Sequence, residues 1–98
     1  MLPEVQTLID AGLRPTHVAR LLDVNRATVG DWYKGGLPHR WIIDKVRDLS
    51  KAVSIGLEAG SLPVVADQLT VAETSAKTFF VARRCYRTYL GEEDDANT

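Results

Sequence analysis

The sequence predicts an all-α fold, a bundle of about five to six helices, on three observations. No segment alternates apolar and polar residues over strand length; apolar residues instead recur three and four apart along most of the chain. Prolines and capping side chains stand in front of those periodic runs, and glycines stand behind them. An apolar fraction of 45% with 26% charged residues is that of a chain able to fold.

In chain order, Pro3 suits a first helical turn and opens a helix that buries Val5, Leu8 and Ile9 and stops before Gly12. A second helix follows from Pro15 or Thr16, with Val18, Ala19, Leu21 and Leu22 on its inner face, ending near Asp23. Asn25 can accept a hydrogen bond from the free amides of a third helix, Arg26 to Lys34, which Gly35-Gly36 ends. Leu37 leads into Pro38, again a first-turn proline. Trp41, Ile42, Val46, Leu49, Val53 and Leu57 then mark one long helix, or two broken around Ser54 to Gly56, ending at Gly60. Leu62-Pro63 opens a short helix carrying Val65, Ala66 and Leu69. Thr70 and Glu73 fit a capping box for a last helix, about Val71 to Leu90, that buries Ala76, Phe79, Phe80 and Tyr86.

At 98 residues this is one small unit, too short for a multi-domain enzyme. Four segments are expected: 1–37, an N-terminal helix plus a helix pair; 38–60, a connecting helix; 61–90, a second helix pair or dimerisation unit; 91–98, a disordered acidic tail holding Glu92, Glu93, Asp94 and Asp95. No apolar run reaches the roughly 18 residues of a membrane span, and the start lacks the pattern of a secretory signal, so the chain reads as cytoplasmic. Cys85 stands alone and reads as a half-buried thiol; no cofactor and no metal site is expected.

Nor do the residues suggest an enzyme. His17 and His39 are isolated, and neither a nucleophile with its base nor a phosphate-cradling loop is present. The formal net charge of −1 argues against a generic polyanion binder, but its distribution is uneven. Between Arg14 and Lys51 eight basic residues face four acids.

Within that stretch, Pro15 to Lys34 has the parts of a helix-turn-helix: a small crossing residue, Ala19; a clamp of Val18, Leu22, Val24, Val29 and Trp32; and the cap Asn25. The string VARLLDVNRATVGDWYKGG resembles the helix-turn-helix regulators of phages and plasmids, the Cro and repressor type. It departs at Asp23, where glycine is usual; aspartate tolerates the left-handed turn conformation better than most residues.

The resemblance implies a sequence-specific regulator of transcription that binds double-stranded DNA. It places Arg26, Ala27, Thr28, Gly30, Asp31 and Lys34 toward the major groove. Arg26 suits guanine, Asp31 suits cytosine N4, Ala27 suits a thymine methyl, and Gly30 suits close backbone approach. Thr16, His17, Arg20, His39 and Arg40, at helix starts and flanks, are candidates for phosphates, with Asn25 as cap. Tyr33 and Trp41 could stack on bases or belong to the core. A single short helix reads few base pairs, so a homodimer or a second regulatory subunit is expected, with the contact around Phe79, Phe80, Tyr86, Tyr89 and Leu90.

The chain also resembles itself. Ile9 to Gly12, Pro15, Val18-Ala19, Leu22, Val24 and Trp32-Tyr33 recur as Leu57 to Gly60, Pro63, Val65-Ala66, Leu69, Val71 and Phe79-Phe80, as two tandem helix-turn-helix units would. LIDAG, NRATVGDWYKG and the downstream CYRTYL are similar to the helical part of FlhC-type flagellar master activators, which implies work alongside a second subunit. The competing reading is a protein-interaction module, an antitoxin or a subunit of a regulatory or DNA-packaging assembly, that keeps the same shape.

Overall fold

The computed structural model describes residues 1–65 and 67–91, and within them the chain is all-α. Five helices follow one another: α1 (Pro3–Asp10), α2 (Pro15–Leu22), α3 (Arg26–Tyr33), α4 (Arg40–Ala59) and α5 (Val71–Tyr89). The expectations for Ala66 and for the acidic tail at 92–98 lie outside the described residues.

Chain ends of the helices obey one local rule. After α1, α2 and α4 a residue takes the left-handed conformation, and the next amide reaches five residues back to close the turn: Leu13 to Leu8, Val24 to Ala19, Ser61 to Gly56. That residue is Gly12 after α1 and Gly60 after α4, at φ +87° and +82°. After α2 it is Asp23, at φ 58° and ψ 51°, doing with an aspartate what the other two ends do with glycine.

α4 is the spine, unbroken through Ser54 to Gly56, with α1 and α5 packed against it and α2 packed on α3. Val5, Leu8, Val18, Val29, Ile42, Val46, Leu49 and Val53 are fully enclosed, and each such side chain contributes about 1.5–3 kcal/mol by leaving water. Ala19, 5% exposed, sits among Val18, Leu22, Val29 and Trp32 in this core, as the crossing residue should. Gly56 lets α4 and α5 meet closely: a methyl group there would lie 3.1 Å from Leu62 and 3.2 Å from Cys85. Cys85 is half-buried at that contact, and burial pushes its thiol pKa up.

Five expectations need correction. Pro38 precedes α4 without entering it; His39 is the cap and Arg40 the first helical residue. Trp41 points away from the core and is 65% exposed. The segment from Leu62 to Leu69 has no helix among its described residues. Leu62 is pinned beside Gly56 and Cys85, Thr70 must stay extended to cap α5, and Val65, 74% exposed, has nothing to pack on. Among the described residues the second unit therefore shows no first helix, and the internal likeness holds in structure at the stops Gly12 and Gly60. Finally, α5 buries Thr78 and Ala82 fully, whereas Ala76 and Phe80 are exposed and Phe79 and Tyr86 half-buried.

Candidate nucleic-acid interface

Locally, α3 begins where Asn25 Oδ1 accepts the Ala27 amide at 2.7 Å. It ends where the Gly36 amide returns to the Asp31 carbonyl at 2.8 Å. Between these ends Val29 and Trp32 turn inward and anchor the helix on α2. The spacing leaves the opposite face, with Arg26, Ala27, Thr28, Asp31 and Lys34, exposed and Gly30 half-exposed.

That face closes one side of an open concavity of about 390 Å³. Arg26, Ala27, Gly30, Asp31 and Lys34 line it from α3, and Arg14, Pro15 and Thr16 line it from the start of α2. The structure thus brings together six of the residues singled out in sequence. Arg14, which belongs to the basic stretch but not to the candidate site read from sequence, lines it as well. Its position directly before the helix-opening Pro15 was the available signal. Among the described residues, Arg14, Arg26, Asp31 and Lys34 form no ion pair, so the three cations keep their donors for another molecule. Such a surface can do two things: guanidinium and ammonium groups can donate to base edges or phosphate oxygens, and Ala27 and Gly30 leave room for a close approach.

Other candidates lie elsewhere. His17, expected to face phosphate, is instead buried at 4% exposure. Its Nδ1 accepts the Arg14 amide at 3.0 Å, and Nε2 lies 2.8 Å from the Ser75 hydroxyl on α5. Burial, together with the positive charges of Arg14 and Arg20, holds its pKa below the ordinary value of 6.5. Tyr33 is also structural: its hydroxyl donates to the Leu13 carbonyl at 2.7 Å, and burial pushes its pKa up. Asn25 is exposed and serves as the cap.

Arg20 stays exposed but stands on the α5 side of α2, its guanidinium carbon 4.2 Å from the centroid of the Phe79 ring. His39 and Arg40 are exposed at the start of α4, where the His39 ring tilts against Trp41. Neither lines the α2–α3 concavity.

A second cleft, about 500 Å³, opens between α4 and α5 and is walled by Ile55, Phe80, Val81, Cys85 and Tyr89. Ile55 and Phe80 are 56% and 52% exposed and face this one cleft from α4 and α5. Among the described residues, no helix is long and apolar enough to cross a membrane, and no group of His, Cys, Asp and Glu could hold a metal ion. Compared with known protein families, characterised proteins and solved structures, the chain matches none.

Proposed function

We propose that the chain is a sequence-specific reader of double-stranded DNA that regulates transcription in a phage or plasmid setting, and so acts in the cytoplasm. The observation that carries this reading is the concavity in which Arg26, Ala27, Gly30, Asp31 and Lys34 on α3 face Arg14 and Thr16 at the start of α2. In a helix-turn-helix the second helix lies in the major groove while the first crosses the backbone. On that pattern Arg26 donates to guanine, Asp31 accepts from cytosine, and Arg14, Thr16 and Lys34 hold phosphates. His39 and Arg40 would reach phosphates only further along the duplex. The resemblance to Cro and repressor regulators supports the same assignment.

Two copies, or one copy with a second regulatory subunit, then read two half-sites, and the apolar cleft between α4 and α5 is the surface suited to that contact. The same cleft favours a second reading, a protein-interaction module such as an antitoxin or an assembly subunit. Selection of bound duplexes from a random pool, followed by titration over salt, separates the two. DNA reading gives an enriched sequence and an affinity that falls steeply with salt, whereas an apolar partner surface gives neither. An unenriched pool overturns the proposal.

A further inference from the structure

We infer that the DNA-contacting surface continues past α3 onto α5, where Arg20 and Arg83 form a site for the phosphodiester backbone; this rests on the DNA-reading proposal above. The exposed ridge of α2 carries Thr16 and Arg20, one helical turn apart. Thr16 lines the concavity shared with α3. Arg20 lines another, about 280 Å³, on the other flank, which Arg83 and Arg87 wall from α5 beside Phe79 and Tyr86. The α2 ridge thus carries one concavity on its α3 flank, through Thr16, and one on its α5 flank, through Arg20, with Arg83 across the second.

Among the described residues, the lining of this second cavity sets Arg20 and Arg83 near each other with no carboxylate between them, and neither forms an ion pair. Like charges gathered in one place repel each other, and a bound phosphate relieves that repulsion. Arg20 is also held in advance. Its guanidinium lies over the Phe79 ring at 4.2 Å, an uncharged partner that fixes the group without neutralising it. A stacked guanidinium keeps its in-plane N–H donors at the edge, free for a pair of phosphate oxygens. Arg83 is exposed and has no ion-pair partner among the described residues. Such contacts fix register and add affinity without reading sequence.

The test uses the full chain, its Arg20→Gln and Arg83→Gln variants, their double variant and Arg83→Lys, with a selected duplex and a scrambled one of equal length. Each glutamine variant should weaken both duplexes by the same factor, about three- to tenfold at low salt, and flatten the slope of log affinity against log salt by about one. Arg83→Lys should keep the wild-type slope. Glutamine variants that keep the wild-type slope overturn the inference while leaving DNA reading in place. So does a loss confined to the selected duplex. A wild-type chain that binds neither duplex defeats the proposed function, and this inference with it.

Discussion

The imidazole Nε2 of His17 and the hydroxyl of Ser75, 58 positions apart in the chain, stand 2.8 Å from each other and tie α2 to α5. Because Nδ1 already accepts the Arg14 amide, the neutral ring carries its proton on Nε2 and donates it to Ser75. A second proton would set an N–H against the Arg14 N–H. The buried ring is thus built to stay neutral, in keeping with its lowered pKa.

Stability should follow that titration. Above the unfolded value of 6.5 both states hold a neutral His17, and its contribution is complete. As pH falls below 6.5 the unfolded chain takes up the proton first, so stability declines until the depressed folded pKa is passed. Melting temperatures at pH 7.5 and 5.5 should therefore differ more for the wild type than for His17→Gln. An equal difference in both would mean that another group sets the pH dependence.

Arg26→Ala should leave the melting temperature unchanged, since Arg26 is exposed and makes no ion pair among the described residues. It should cost about 1–3 kcal/mol of discrimination between the selected site and a mismatched one. Filter binding with both duplexes measures this; undiminished discrimination would remove α3 from the groove.

Asp23→Gly should stabilise the fold by up to about 1 kcal/mol, because glycine occupies the left-handed region without a Cβ penalty. Ala19→Glu should unfold the unit by forcing a charge into the α2–α3 crossing, where Ala19 is 5% exposed. Thermal melts followed by circular dichroism read both. A stable, helical Ala19→Glu protein would mean that α2 and α3 cross elsewhere.

Phe80→Glu should convert an associating chain into a monomer without lowering its helicity, since Phe80 is 52% exposed and lines the α4–α5 cleft. Sedimentation equilibrium of wild type and variant tests this. A wild type that is monomeric both free and on its selected duplex would separate DNA reading from self-association.

The sequence by itself determined the features whose causes lie within a few residues. Asn25 caps α3, Thr70 and Glu73 cap α5, and Asp23 takes the left-handed place of a glycine. The exposed face of α3 was equally legible, because Val29 and Trp32 fix which side turns inward. Tertiary structure decided what depends on distant partners. The 61–70 segment carries helical spacing, yet with Leu62 held beside Gly56 and Cys85 and Thr70 committed to α5, no helix forms among its described residues. The inward face of α5 falls on Thr78 and Ala82 because α4 fixes its rotation, and no nearby residue signals that choice. His17 turns to Ser75, and Arg20 to Phe79, across a fold that only packing brings together. Caps and turns are settled by bonds a few residues long, whereas the burial of a helix face is settled by whichever surface arrives to cover it.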